Sequence, residues 1–225
     1  MNLIVEARPS DSPYIETVMR GWTLGEGSTI RPAEVNWHMV FVKHSGGTRA
    51  LAVGPWTTSG QAAWGEGAEI LWIKFKLGAF MPHLPTKKYR DGEISLPDAA
   101  SSRRFWLKSA THEVPDFENV ETFIERLARD EELVHDPVVH AALEDHLPEI
   151  SPRTVRHRFL QATGLTQNYI RQFERAKQAE SLLRQGTPIL DTVFQAGYFD
   201  QPHLTRALKQ FIGYTPAQIL PDREP

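Results

Sequence analysis

The chain has 225 residues, of which 40% are hydrophobic, and its formal net charge is −3. This length and composition can bury a full core and predict two domains. The absence of cysteine excludes disulfides, thiolate metal sites, thiol nucleophiles and thiol redox sensing. The sequence contains neither a long apolar run nor a charged leader, which predicts a cytoplasmic protein without a membrane anchor.

Short apolar and aromatic runs, separated by glycine and proline, make up the N-terminal part of the chain. Residues 37–42, 50–56 and 69–80 are typical of β-strands. In the third run, alternation predicts a strand with one buried and one partly covered face. Five or more such strands predict a mainly-β barrel or sandwich over residues 1–112.

Aromatic side chains in these runs have two interpretations. Trp37, Trp56 and Trp72 are candidates for the wall of a small-molecule cavity, and the alternative is that they are simply core. The histidines show no recognised spacing of metal ligands, and no set of residues indicates a catalytic triad. We therefore predict no metal, no cofactor and no catalytic residue.

A strongly acidic stretch follows. Residues 111–150 contain 12 Asp and Glu against 2 Arg. The spacing of its apolar residues predicts a helix over about 120–133, either as an interdomain connector or as the opening helix of the next domain. We interpret the acidic side chains as a solvated helix face, with electrostatic masking of DNA as the alternative. The predicted connector covers residues 113–135.

The remaining residues, 136–225, predict a helical domain of opposite charge. Residues 151–225 contain 10 Lys and Arg against 6 Asp and Glu, the sign expected for a domain that binds nucleic acid. Within it, residues 186–220 predict a helix, a tight turn and a second helix. Thr187 with Pro188 is typical of a helix start, and Gly197 of a left-handed turn residue.

The second of these helices begins after the capping residue Asp200 and ends at Gly213. Its apolar side chains share one face, which leaves an open face of amide, hydroxyl and cationic groups. That face comprises Gln201, Pro202, Thr205, Arg206 and Lys209. These groups suit the major groove of DNA, and the segment predicts a helix-turn-helix.

The same layout occurs 49 residues earlier, from Ser151 to Gly164. It predicts a first recognition helix whose exposed residues are Arg153, Arg156, His157 and Gln161. Thr166 then begins a connecting helix that continues to Gly186. At 1.5 Å per residue this helix spans roughly 28 Å, which could set the two recognition helices about one DNA turn, roughly 34 Å, apart.

About the last 100 residues resemble the AraC/XylS family of transcriptional regulators. The residues that carry the resemblance are Ala176, Leu182, Leu183, Gly186, Pro188, Ile189, Gly197, Tyr198, Asp200, Gln201, His203, Leu204, Thr205, Arg206, Gly213, Thr215 and Pro216. The resemblance implies two helix-turn-helix units joined by a long helix, and a cupin-like N-terminal domain that senses a small molecule or mediates dimerisation. The first unit departs from the second at Pro148, which stands where the second has Gly197.

Together these patterns predict an α+β protein that regulates transcription by sequence-specific DNA binding, modulated by a small molecule in the N-terminal domain. We expect base edges to be read by Arg156, His157, Gln201, Thr205 and Arg206. We expect Arg153 and Lys209 to hold phosphates, and Pro202 to contact a thymine methyl group. The expected partners are duplex DNA, a small-molecule effector, RNA polymerase and a second copy of the chain.

The alternative is a cupin-like small-molecule binding protein or enzyme whose helical tail is a scaffold. A scaffold helix would be free to carry acidic residues on its open face. The second recognition helix instead carries Arg206 and Lys209 and no acidic residue after Asp200. The sequence therefore favours DNA binding.

Overall fold

The computed structural model of the chain describes residues 2–99, 103–144, 146 and 150–221, so Pro148 lies outside the described residues. The strands in chain order are β1 (Leu3–Pro9), β2 (Ile15–Thr23), β3 (Gly27–Arg31), β4 (His38–His44), β5 (Gly47–Val53), β6 (Gly60–Trp64), β7 (Glu69–Phe75), β8 (Ala79–Phe80), β9 (Glu93–Leu96), β10 (Arg104–Leu107), β11 (Ala110–Glu113) and β12 (Val134–His135). The helices are α1 (Val120–Arg129), α2 (Pro137–Leu143), α3 (Pro152–Thr163), α4 (Gln167–Arg184), α5 (Ile189–Gln195), α6 (Gln201–Phe211) and α7 (Pro216–Ile219), with a short 3-10 helix at Thr86–Lys88. This order confirms the predicted mainly-β N-terminal part and helical C-terminal part.

Six strands form one sheet in the order β1-β2-β7-β4-β5-β9, with antiparallel pairing throughout. On the central strand β7, Leu71, Ile73 and Phe75 are buried on one face, while Trp72 on the other face is half-buried. This confirms the predicted alternation. Among the described residues β1 and β9 are the two edges of this sheet, so it is open and not closed into the cupin-like barrel that the resemblance implies.

Helix α1 covers the buried face of this sheet together with the β10–β11 hairpin. Its apolar side chains, Val120, Phe123, Ile124 and Leu127, lie in the same hydrophobic cluster as the inward residues of β4 and β7. The helix ends at Arg129, before the predicted position 133, because Glu131 has a left-handed φ of 54°. Helix α1 is therefore part of the N-terminal core and neither a free connector nor the opening helix of the next domain.

The helices α2 to α7 surround a second hydrophobic cluster, and the N-terminal part contributes to it. Ala33, Val35 and Phe80 are buried in this cluster among the helical residues. Strand β12, which leads into α2, pairs with β8, where Val134 stands opposite Phe80. The helical region thus shares its core with the β-rich region instead of being joined to it by a linker alone.

Helix ends in this region follow the predicted capping residues, with one exception. Ser151, Thr166 and Asp200 each accept a hydrogen bond from a backbone N–H in the first turn of α3, α4 and α6. The expected cap by Thr187 is wrong. Pro188 occupies the N-cap position of α5, and because proline carries no side-chain acceptor this helix has no side-chain cap.

Candidate nucleic-acid interface

Helices α5 and α6 form a helix-turn-helix whose turn is held by backbone and side-chain contacts. Gly197 has φ 68°, in the left-handed region that the sequence predicted. The amide of Tyr198 donates to the carbonyl of Val193 at 2.9 Å, and the ring of Tyr198 is buried. The carboxylate of Asp200 accepts from the amide of His203 at 2.7 Å and starts α6. The turn is therefore tight and well anchored.

Helix α6 buries one face against α4 and leaves the other open. Its buried residues are Leu204, Leu208 and Phe211. The open face carries the predicted set: Gln201, Pro202, Arg206 and Lys209 are exposed and Thr205 is half-buried. The neighbouring His203 instead packs edge-to-face against Tyr198, with ring centroids 5.1 Å apart. His203 therefore leans back onto the unit and away from the open face.

Helices α2 and α3 lie where the sequence predicted the first unit, and residues 145 and 147–149 between them lie outside the described part of the chain. Val155 and Phe159 point into the core, while Arg153, Arg156, His157 and Gln161 of α3 are exposed as predicted. The positive charges of Arg153 and Arg156 form no ion pair with a carboxylate in the described part of the chain, and the same holds for Arg206 and Lys209 on α6. Both open faces thus offer uncompensated positive charge.

Three cations that lie off these faces, Arg158, Lys177 and Arg184, are paired with carboxylates. The guanidinium of Arg158 makes two hydrogen bonds to Asp136, at 2.7 and 2.8 Å, and this hydrogen bonding raises the pKa of Arg158 above its ordinary value. Asp136 also caps α2 by accepting from the amide of Val138 at 2.9 Å. On α4, Lys177 and Arg184 both pair with Glu180, at 3.1 and 2.7 Å. These paired cations stabilise the fold, whereas the cations on the open faces have no carboxylate partner among the described residues.

The acidic stretch before the helical region is partly internal. Glu132 is buried and lies 3.1 Å from the imidazole of His112, and Asp136 is consumed by the cap and by Arg158. These two carboxylates therefore do not contribute to an acidic surface that masks the open faces. Replacing them would disturb packing and not only surface charge.

The β-rich region holds the C-terminal ends of both recognition helices. The last carbonyls of an α-helix lack partners within the helix. For α6, the hydroxyl of Ser59 donates to the carbonyl of Lys209 at 2.8 Å, and the amide of Ser59 donates to the carbonyl of Gln210 at 2.6 Å. For α3, the hydroxyl of Thr86 donates to the carbonyl of Ala162 at 3.2 Å. The N-terminal region thus orients both helices, which no local sequence signal predicts.

Three exposed hydrophobic side chains of the second unit were also not predicted. Leu190, Phe194 and Phe199 are 62%, 78% and 91% exposed. Large apolar residues ordinarily indicate a core, so the sequence offers little signal for them. Phe199 lies in the turn directly before Asp200, next to the open face of α6.

The structure does not bring the three candidate tryptophans together. Trp37 is a core residue, stacked on Phe75 with ring centroids 3.9 Å apart. Trp56 lies under the guanidinium of Arg31, 4.1 Å from its ring centroid, and Trp72 is on the outer face of the sheet. Each tryptophan therefore has a packing role, and the three do not line one shared cavity; a ligand contact by any one of them stays a prediction.

Two open cavities lie on the N-terminal region, with volumes of about 700 and 960 Å³. The first is lined around Thr48, Glu66 and Asp98. The second lies beside Arg20, Lys43 and the segment that leads into α1. Neither is lined by the candidate tryptophans.

Among the described residues, His, Asp and Glu do not form a group of three that could hold a metal ion. Within the same part of the chain, none of the helices combines the length and apolar character that crossing a bilayer requires.

Comparison with known proteins identifies the C-terminal region. Residues 149–221 match the family model of a helix-turn-helix domain. The match covers α3 to α7 but not α2, and it supports a DNA-binding transcription regulator of the AraC type. No curated protein and no solved structure matches the chain.

Proposed function

We propose that this protein regulates transcription by binding specific DNA sequences with both recognition helices. One observation carries the proposal: α3 and α6 both present cations without carboxylate partners among the described residues, whereas Arg158, Lys177 and Arg184 pair with carboxylates. Solvated, unpaired positive charge on exposed helix faces is what a helix-turn-helix offers to the DNA backbone and to base edges. The match over residues 149–221 supports the same function.

Within this function, each side chain of the open faces takes a role that its chemistry fits. Arg156 and Arg206 can pair with both major-groove acceptors of a guanine, and Gln201 with an adenine. His157 and Thr205 suit single base-edge contacts, and the flanking cations Arg153 and Lys209 suit phosphates. Pro202 offers only an apolar surface, which suits a thymine methyl group.

The same proposal includes four further statements. The N-terminal region binds a small-molecule effector, the protein works as a homodimer, it contacts RNA polymerase, and it acts in the cytoplasm without catalysing a reaction. The resemblance to the AraC/XylS family and the open cavities near Thr48 and Arg20 support the effector. The alternative is a cupin-like binding protein or enzyme with a helical scaffold. The unpaired charges of α3 and α6 weigh against it.

Arg156→Ala and Arg206→Ala test base reading. We expect each change to weaken binding to the preferred site by about 1–3 kcal/mol and to relax base preference at one position, the two positions lying roughly 10 base pairs apart. Selection from a random DNA pool with each full-length variant measures this. Arg184→Ala is the matched control, because Arg184 lies on α4 and pairs with Glu180.

Uniform weakening on all sequences would assign both arginines to phosphates and contradict base reading. If only Arg206→Ala relaxes base preference, the second unit alone reads sequence.

Salt dependence tests the phosphate contacts. Each phosphate that a cation neutralises should contribute about −0.9 to the slope of log affinity against log salt concentration. Lys209→Met should therefore make the slope shallower by roughly 0.9 and weaken all duplexes alike. Titrations of the full-length protein at several salt concentrations give the slope. An unchanged slope would remove Lys209 from the phosphate contacts.

A further inference from the structure

The turn of the second unit presents a phenylalanine ring to solvent at a fixed place. Phe199 is 91% exposed. The residues on both sides of it are anchored, since Tyr198 is buried and donates its amide to Val193, while Asp200 caps α6. The ring therefore projects from a defined backbone and not from an unsupported loop.

Phe199 has no packing role in the unit. A hydrophobic residue before a helix cap often packs on the fourth residue of the helix, which here is Leu204. Leu204 is fully buried beneath other side chains, whereas Phe199 is almost entirely in water, so this contact is not made. The fold leaves the ring of Phe199 in water, although burying a ring of this size is favourable.

The position of the ring relates it to the open face of α6. Residues at the N-terminal end of a recognition helix approach base edges when a helix-turn-helix docks. Phe199 directly precedes the cap of that end, where Gln201 and Pro202 are exposed. It therefore extends the open face with an apolar group.

We propose that Phe199 is a specificity-determining residue that contacts the C5-methyl group of a thymine. This inference rests on the proposed DNA-binding function. The C5-methyl group is the apolar feature of a base pair in the major groove, and phenylalanine is among the side chains that contact it. The uncompensated charges of Arg206 and Lys209 on α6, the helix that follows the turn, favour DNA over a protein as the surface that covers the ring.

The test removes the methyl group from the DNA and the ring from the protein. The preferred duplex of the full-length protein is selected first, and each thymine is then replaced by deoxyuridine, which lacks only the methyl group. At one position this should weaken wild-type binding about fourfold, the factor that corresponds to ~0.8 kcal/mol for one buried methyl-sized group. Phe199→Ala should bind the thymine and deoxyuridine duplexes equally at that position.

Two further variants complete the design. Phe194→Ala also removes an exposed ring of the second unit, but from α5, and it should keep the full thymine dependence. Phe199→Leu should retain part of it, because leucine still offers apolar surface. All three changes are at exposed positions, so unchanged circular dichroism is expected.

Three outcomes would overturn this inference alone. Phe199→Ala could keep the same thymine-to-deoxyuridine ratio at every position, or the wild type could show no dependence on any methyl group; both leave DNA binding itself intact. Phe199→Ala could instead impair only association with another protein, which would assign the ring to a protein partner. A wild-type protein without any sequence preference would overturn the proposed function as well.

Discussion

Phe80→Ala should destabilise the whole protein by about 3–5 kcal/mol, the usual cost of truncating a buried phenylalanine. Phe80 belongs to β8, yet it is buried in the hydrophobic cluster of the helical region. The cavity that the missing ring leaves would therefore destabilise the helical region, although the substitution lies in the β-rich region. This is a large part of the roughly 5–15 kcal/mol that stabilises a typical domain.

Two spectroscopic probes can follow this unfolding separately. All six tryptophans lie between Trp22 and Trp106, whereas most helical residues lie beyond position 136. Tryptophan fluorescence thus reports the β-rich region and far-ultraviolet circular dichroism mainly the helical one. We expect both urea transitions to coincide and to shift together in Phe80→Ala.

The control for this prediction is Phe194→Ala, which removes the same ring from an exposed position. Its effect should stay within roughly 0.5 kcal/mol. Two separate transitions in the wild type, with only one shifted by Phe80→Ala, would show that the shared core does not couple the regions.

Gly213→Ala should cost about 2–5 kcal/mol because two penalties add. Gly213 follows α6 with φ 94°, and a left-handed conformation costs an ordinary residue roughly 1–2 kcal/mol. In addition, a Cβ atom at this position would lie 2.5 Å from Cγ2 of Ile30 and 3.3 Å from Cβ of Ser59. Overpacking of this kind typically costs about 1–3 kcal/mol more. Denaturant unfolding measures the sum.

Gly186→Ala is the matched control, because Gly186 has φ 85° but no atom within 4 Å of its Cβ position. It should show the backbone penalty alone. Adding Ile30→Ala to Gly213→Ala should recover much of the difference between the two glycine variants, since Ile30 is partly exposed and supplies the nearest atom. Equal costs for Gly213→Ala and Gly186→Ala would mean that the N-terminal region gives way at this contact.

The contacts between the β-rich region and the ends of α3 and α6 also bear on how an effector would act. Ser59 and Thr86 hold the ends of α6 and α3, so a displacement of their segments would move one recognition helix relative to the other. A ligand could produce this only if it binds the two arrangements with different affinity.

The amino-acid sequence by itself determined the helix-turn-helix of α5 and α6 and the starts of α3 and α4. Their signals are local: Ser151, Thr166 and Asp200 cap helices through amides three residues away, and Gly197 adopts the left-handed φ that its turn requires. Such interactions depend on near neighbours in the chain. For the same reason the exposed residues of α3 and α6 could be predicted from helical spacing alone. The predicted cap by Thr187 was wrong, because Pro188 occupies the N-cap position of α5 instead.

Only the tertiary structure decided which apolar faces meet. Helical spacing showed that α1 has a buried face, but its partner is the β-sheet and not the helical region. Likewise, the hydroxyl of Ser59 bonds to the carbonyl of Lys209, 150 residues away in the chain. A hydrophobic pattern predicts that a face will be buried but does not predict which surface it packs against, because the hydrophobic effect is non-directional. The burial of Trp37, the exposure of Phe199 and the shared core around Phe80 therefore depend on long-range packing.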